Sequence, residues 1–586
     1  MKVQKRREIE VNAVFDIECS DWTTFVVGAI RDENGYKSYR WQREEEFARM
    51  LSEFTGTIWS HAGGIYDLKW LLDWLVRFGT EVEVICAGSR IIILKTETAT
   101  FCDSWALVPM SLKNFTATQG VHKEELALPC ACGEECGGYC SISRKMARPL
   151  LQRLEQYLEA DCESLWDALQ TLQTFARDLD LDLGPTVGSS AWRCARRTSE
   201  GVPFALTDTQ KALYTSIRPA YFGGRVEVYR FGLEPLVREY DVNSAYPWAL
   251  TQPLPVGTPK RLFGSEARRA FDRGAPGIFN ATVDQRGLHI PAMPVRTKAR
   301  VVYPADIVSG IWARPELEHC AGKILDITGA IVYEREVPIL KPWVDRLFKL
   351  RQENDPKSPL GGWLKLYLNS LSGKLGMRPE RMKIHVNPEE MKFCQHKSTC
   401  YPICDGQCGA FFELSDHVFG EKTYALSDCA RIEWASYLTS RARVLLHSAQ
   451  IEKGGADMVY SDTDSIMTTG TREKNVGSAI GQFKFEGELK DFEAFAPKVY
   501  QAKKPDGARK VRAKGVKLPR SASLELGAEY RNDAGIVGVK LGAKVGKFFA
   551  RKHIARTLQR RAGGRIMLDD GKTTRAPLLA EAMELE

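Results

Sequence analysis

Long hydrophobic runs are missing from this 586-residue chain: no window holds eighteen uncharged apolar residues, and the basic opening, residues 1–10, lacks the apolar segment of a secretory leader. That leaves no candidate for a membrane-spanning helix, and the expectation is an unsecreted, soluble, cytoplasmic protein. A large excess of one charge is missing too. Lys plus Arg number 82 against 74 Asp plus Glu, a net +8, which is compatible with a polyanionic partner and names none. Low-complexity tracts are absent, since 44% hydrophobic and 27% charged residues are ordinary globular values. At about 150 residues per domain the length makes room for roughly four folding units. Cysteine, in contrast, is plentiful. Eight of the fifteen lie in two clusters, Cys130, Cys132, Cys136, Cys140 and Cys394, Cys400, Cys404, Cys408. Clustered thiols in a reducing compartment are candidate structural Zn²⁺ ligands, with His396 as a spare, although paired CxxC knuckles are lacking and free or buried thiols are the alternative.

Residues 11–18 (VNAVFDIE) read as a strand rich in β-branched and aromatic residues, so Asp16 and Glu18 share one face. The stretch from His61 to Asp67 (HAGGIYD) is a glycine loop running into the periodic Leu68, Leu71, Leu72 and Leu75, which places Asp67 at a helix start. Residues 151–172 carry leucines at helical spacing, and within them Tyr157 and Asp161 stand four apart on one face. Singly, each acid reads as solvated surface. Gathered together, four carboxylates repel unless divalent cations neutralise them, as in two-metal phosphodiester hydrolysis.

Further on, residues 237–247 (VREYDVNSAYP) form a strand ending at Asp241, then a turn into Tyr246. Residues 456–467 (ADMVYSDTDSIM) have the pattern of a hairpin with Asp462 and Asp464 at its tip. With Asp241 alongside, these acids would make an oxygen-rich site suited to Mg²⁺ bridging a triphosphate and a 3′-hydroxyl. Between them, residues 364–375 (LKLYLNSLSGKL) put Leu364, Leu368, Leu371 and Leu375 on one helical face and Lys365, Asn369 and Ser372 on another. The lysine there can hold the phosphates of a nucleotide.

DxE at Asp16, YD at Asp67 and YxxxD at Asp161 resemble the three exonuclease motifs of proofreading DNA polymerases, whose acids bind two metals and whose tyrosine, here Tyr157, positions the attacking water. The family usually carries an asparagine in the second motif's loop, where this chain has Ala62, so weaker binding of a strand end is expected. DxxSxYP at Asp241, KxxxNSxxG at Lys365 and YSDTDS at Tyr460 resemble motifs A, B and C of family B DNA polymerases. Lys498-Val-Tyr500 is similar to the KxY motif of the primer end, Tyr221-Phe-Gly-Gly224 to the YxGG motif, and Thr439 to Arg443 to a segment contacting template and primer. The resemblance covers about residues 10–520. The 124 residues between Asp241 and Lys365 leave room for a terminal-protein insertion, which likens the chain to the protein-primed, bacteriophage-type subgroup.

The resemblance implies an α/β and α+β multidomain fold: a ribonuclease-H-like 3′–5′ exonuclease domain (1–190), a connecting segment (191–240), a palm (241–260 and 423–520), a terminal-protein-type insertion (261–340), fingers (341–378), a second insertion with the Cys cluster (379–422) and a thumb (521–586). It implies Asp241, Asp464 and Asp462 as ligands of two Mg²⁺ or Mn²⁺, with a second pair held by Asp16, Glu18, Asp67 and Asp161. Tyr246 would be the steric gate against ribonucleotides, Lys365 and Arg351 would grip the triphosphate, and Asn369 and Ser372 would line the nascent pair. Tyr221, Gly223, Gly224, Thr439, Arg443, Lys498 and Tyr500 would contact DNA. Ser372 replaces the family's tyrosine, so altered fidelity is expected. Basic residues Lys503, Lys504, Arg509, Lys510, Arg512, Lys514 and Lys517, and a second group at Arg551, Lys552, Arg556, Arg560 and Arg561, would hold the duplex backbone. The implied partners are primer-template DNA, dNTPs and a terminal protein, for a monomer in the cytoplasm, the host's if the chain is viral. The alternatives are the same polymerase extending ordinary primers or starting unaided, and a nuclease or DNA-binding protein that retains the fold.

Overall fold

The computed structural model describes residues 9–20, 24–87, 90–117, 141–199, 204–298, 300–355, 358–377, 380–385, 411–415, 418–424, 426–427, 429–470, 476–514, 523–538 and 549–584. Both cysteine clusters and Lys517 lie outside these residues. The described cysteines, Cys19, Cys86, Cys102, Cys162, Cys194, Cys320 and Cys429, form no disulfide with one another. Among the described residues no helix is long and apolar enough to cross a membrane.

The N-terminal sheet is built around strand Ala13–Ser20, antiparallel to Thr24–Asp32 on one side and parallel to Gly56–Ser60 on the other. Side chains alternate across it. Ala13, Phe15 and Ile17 enter a core under helices Glu44–Ser52 and Asp67–Arg77. Val14 packs in the opposite core with Leu151, Leu154 and Leu158 of helix Arg148–Asp178. Asp16 and Glu18 share Val14's parity and so belong to the long-helix face. That helix extends beyond the expected 151–172 because residues 173–178 carry no Gly or Pro to stop it.

A second sheet has the strand order Arg509–Ala513, Val499–Lys503, Phe483–Ala496, Gly232–Val242, Ser465–Thr468, Met458–Asp462, Val226–Val228. Helix Ile432–Ala449 packs behind it, with Leu446 and Ala449 among Tyr240, Val242 and Ile466. Helices Lys341–Gln352 and Pro359–Leu375 lie at one side. The latter starts on Ser358, whose hydroxyl accepts from the Gly361 amide, and has Pro at its first turn. Its predicted apolar face is buried: Leu364, Leu368, Leu371 and Leu375 are at most 1% exposed, each burial stabilising by about 1.5–3 kcal/mol.

Residues 260–332 contain a four-stranded sheet with its own core around Phe279, Val283 and Trp312. Strand Glu380–His385, in the expected second insertion, pairs with Glu83–Ala87 and so extends the N-terminal sheet together with Phe411–Ser415 and Val418–Tyr424. The expected thumb divides. Strands Glu529–Gly538 and Phe549–Thr557 form a hairpin, whereas the chain after it returns to the second sheet. There the Thr574 amide donates to the Tyr229 carbonyl at 3.0 Å and the Phe231 amide to Lys572 at 2.6 Å. Backbone hydrogen bonds of this kind have no signature in the sequence, so the resemblance alone placed a single unit there.

Candidate active sites

Three neighbouring strands bring Asp241, Asp462 and Asp464 to one end of the second sheet. Asp241 sits opposite Ser465 on one side and Lys484 on the other. The Val242 amide donates to the Asp464 carbonyl at 2.8 Å. The hairpin is the predicted one, with Asp462 paired to Ser465 across Thr463 and Asp464. Thr463 is in the left-handed region, φ 57°, an unusual state for a β-branched residue that the surroundings must impose. They do so through the Arg225 carbonyl, which accepts from the Thr463 amide at 2.7 Å.

The charges read as one site. Burial, reinforced by Asp464, Glu486 and Glu239 and opposed by Lys365, pushes the Asp241 carboxyl up to about 7. Asp464 is raised by burial and then by Asp462, with Lys498 and Lys365 opposing. Lys365, exposed on helix Pro359–Leu375, is thus a charged neighbour of both acids. Asn369 is half-buried on the same face. Ser372 instead turns its hydroxyl to the Asn369 carbonyl at 2.9 Å. Arg351 reaches Ser244 Oγ at 3.5 Å, in the turn before Tyr246. The Tyr246 phenol is raised by burial, with Arg443 opposing and Tyr221, Asp464 and Asp462 adding to the rise.

The residues expected to contact DNA differ in their surroundings. Thr439 is 6% exposed and its hydroxyl donates to the Ala435 carbonyl of its own helix. Arg443, 3% exposed, pairs with Glu316 and donates to the Phe222 and Gly223 carbonyls. The resemblance placed both in a segment contacting template and primer; in the structure other residues cover their side chains. Tyr500 is buried, packed on Tyr460 and Phe492 at ring distances of 5.4 and 5.5 Å. The Lys498 ammonium is 2.6 Å from Asp462 Oδ1. Tyr221 lies under Gly376 at the end of the lysine-bearing helix, where a Cβ would overlap its phenol, and a Cβ at Gly224 would come within 2.7 Å of Thr463. Gly223 has open space beside it. In the basic run, Lys503 pairs with Asp491 at 2.8 Å and Lys510 with Glu239 at 2.6 Å, and Arg560 is spent on the Gly571 carbonyl at 3.1 Å.

The second constellation forms where the first sheet meets the long helix. Asp67 opens helix Asp67–Arg77 and is buried; desolvation, then the charges of Asp16, Asp103 and Glu18, hold its carboxyl well above the usual range. Burial and the charges of Asp16, Asp161 and Asp67 raise the Cys162 thiol, so acids from three separate segments share one neighbourhood. Tyr157 is buried one helical turn before Asp161. Gly63 is packed so closely that a Cβ would lie 2.8 Å from Asp67 Oδ2. Ala62 has φ 61°. Asp103 was missed by sequence reasoning: it ends strand Ala99–Asp103, is buried, and pairs with Arg90 at 2.7 Å. Its signal, a strand running into an acid as at Asp16, was present.

Hard carboxylate oxygens that raise one another's pKa suit Mg²⁺ or Mn²⁺, so the donor sets fit the implied ions. Among the described residues no three His, Cys, Asp or Glu side chains are drawn together tightly enough to form a metal shell in advance.

Residues 140–442 match the family model of DNA polymerase type B, organellar and viral. A probable DNA polymerase of Ascobolus immersus is 24% identical over 510 residues, 78% of this chain and 42% of the relative. The DNA-directed DNA polymerase of Enterobacteria phage PRD1 is 24% identical over 502 residues, covering 82% of this chain and 80% of that one. The chain spans about two fifths of the length of the fungal relatives it matches. In fold it is similar to Phi29 DNA polymerase complexed with primer-template DNA and incoming nucleotide substrates, with a TM-score of 0.69 and 16% identity over 94% of this chain and 100% of that one.

Proposed function

We infer that this chain, a member of the organellar and viral DNA polymerases of type B, is a DNA-directed DNA polymerase with a 3′–5′ exonuclease, replicating a phage or mobile-element genome. The observation that carries the reading is the placement of Asp241, Asp462 and Asp464 at one end of the second sheet, with Asp241 opposite Ser465 and the Val242 amide donating to the Asp464 carbonyl, and with Lys365 as an opposing charge nearby. In the proposed reaction the primer 3′-hydroxyl oxygen attacks the α-phosphorus of a dNTP, a P–O bond forms and pyrophosphate leaves. Divalent ions held by Asp241, Asp464 and Asp462 would stabilise charge on the attacking and leaving oxygens. Lys365 and Arg351 orient the triphosphate, and the Tyr246 ring excludes a 2′-hydroxyl. Lys498 holds Asp462 beside the primer end.

Asp16, Glu18, Asp67 and Asp161 are assigned to removal of the 3′-terminal nucleotide, with Tyr157 orienting the water. The domain plan implied by the resemblance is kept, with one change: the thumb is the hairpin within 529–557, and 558–584 is a strap on the palm. Protein priming is proposed on the subgroup resemblance and on the separate sheet of residues 260–332, a surface for a terminal protein. Zn²⁺ at the cysteine clusters remains part of the proposal, tested by metal content per chain.

The test is a gel assay of a 5′-labelled primer on a longer template with Mg²⁺, with and without dNTPs. Lengthening with dNTPs and shortening without them is expected; a primer that only shortens would refute the polymerase.

A further inference from the structure

The loop from Tyr221 to Gly224 is held by two arginines that reach it from different parts of the fold. Arg296, in the short strand Val295–Arg296 of the inserted region, donates to the Tyr221 carbonyl at 2.7 Å. Arg443, on helix Ile432–Ala449, donates through Nη1 to the Phe222 carbonyl at 2.6 Å and the Gly223 carbonyl at 3.0 Å. Behind Arg443 stands Glu316 of the inserted helix Arg314–His319, its Oε1 at 2.7 Å from Nε. Both side chains of this pair are 3% exposed. A buried pair in that position is expensive to break, because either partner alone leaves an uncompensated charge.

What the loop touches gives the pair its consequence. Gly224 packs on Thr463, and the next carbonyl, Arg225, accepts from the Thr463 amide, so the turn between Asp462 and Asp464 rests on this loop. Tyr221 packs under Gly376 at the end of the helix bearing Lys365. Tyr246 has Arg443 and Tyr221 among its charged and polar neighbours. A guanidinium can bridge two successive carbonyls and a carboxylate because its donors are fixed in a fork; an ammonium cannot keep all three.

We propose that Arg443 and Glu316 are positioning residues through which the inserted region sets the 221–224 loop, and with it the nucleotide pocket formed by Tyr246, Lys365 and the Asp462–Asp464 turn. The inference rests on the polymerase reading above. It assigns Arg443 to the inside of the protein, where the sequence suggested a contact with DNA, and it gives the inserted sheet a role in nucleotide selection whether or not a terminal protein sits on it.

The experiment uses the full chain with Arg443→Lys and Glu316→Gln, measuring KM and kcat for dNTP, the preference for dNTP over rNTP, degradation of single-stranded DNA and the melting temperature. Arg443→Lys keeps the charge and loses the fork. It should raise KM for dNTP about tenfold with kcat changed by less than about threefold, and lower the dNTP preference about tenfold, while strand degradation stays at the parent level. Glu316→Gln should shift the same two quantities in the same direction. Should Arg443→Lys fail to fold, Glu316→Gln and Gly224→Ala, which presses on Thr463 from the other end of the loop, read the same relay. Unchanged KM and sugar preference in a folded variant overturn the proposal, as does a uniform loss of both activities with melting. If the parent chain extends no primer, the polymerase reading itself fails and this inference falls with it.

Discussion

At the scale of single residues, the strongest electrostatic demand is made by Asp241. A carboxyl pushed up to about 7 with Asp464 beside it is a site awaiting positive charge. Replacing Asp241 or Asp464 by Asn should lower primer extension by about 10²–10³-fold or more and leave strand degradation unchanged, which the same gel assay reads. Ala62 carries a different kind of strain. Its φ of 61° costs an L-residue with a plain methyl about 1–2 kcal/mol, and Gly or Asn accepts it more readily. Ala62→Asn should therefore raise the melting temperature slightly and also speed degradation of single-stranded DNA; a slower or unchanged nuclease would detach this position from strand-end binding. His447 supplies the pH dependence. Burial, with Arg225 and His319 adding and the Ile290 carbonyl and Glu227 opposing, pulls it down to about 3 from 6.5. Between those values the unfolded chain binds a proton that the folded chain refuses, so stability is lost as pH falls, at up to about 1.4 kcal/mol per unit from this group. His447→Gln should flatten the melting curve against pH below 6.5 relative to the parent protein, and equal slopes would contradict the shift.

At the scale of elements, the lysine-bearing helix Pro359–Leu375 shows how a binding face is aimed. Its leucines fix the rotation about its axis; its tilt is fixed elsewhere. The Tyr367 hydroxyl lies 2.9 Å from the Asp182 and Ser190 carbonyls, and Ser370 Oγ donates to the Val187 carbonyl at 3.3 Å. Helix Lys341–Gln352 is tied to the same corner, since Arg346 donates to the Leu179 carbonyl at 2.6 Å. Tyr367→Phe removes the shared donor and leaves buried carbonyls short of a partner. It should cost about 1–2 kcal/mol, seen as a lower denaturation midpoint, and raise KM for dNTP because Lys365 is less well placed. A normal KM at the reduced stability would show that the corner supports the fold only.

At the scale of the whole molecule, two constellations of acids stand on two sheets, and helix Pro359–Leu375 with its C-terminal Gly376 contacts both the 179–190 corner and the 221–224 loop. The constellations use separate side chains, so Asp16→Ala together with Asp161→Ala should abolish shortening of the primer and leave its extension within about twofold. Loss of both would mean that the sheets do not work independently. The chain order by itself determined a great deal of this. Alternation in residues 13–18, the leucine spacing of the helices and the hairpin around Asp462 and Asp464 are local patterns, and local backbone geometry carries them directly into structure. The acids of both constellations were legible for the same reason: Asp16 and Glu18 alternate along a strand, Asp67 opens a helix, Asp161 follows Tyr157 by four residues inside one, and Asp241, Asp462 and Asp464 lie at strand ends or a turn. Only the tertiary structure decided what covers each surface. It buried Arg443 against Glu316, spent Lys498 on Asp462 and Lys510 on Glu239, brought Asp103 up beside Asp67, and folded 558–584 back onto the second sheet. In each case the partner lies far away in sequence, and a side chain's period shows which way it points but not what the fold will place in front of it.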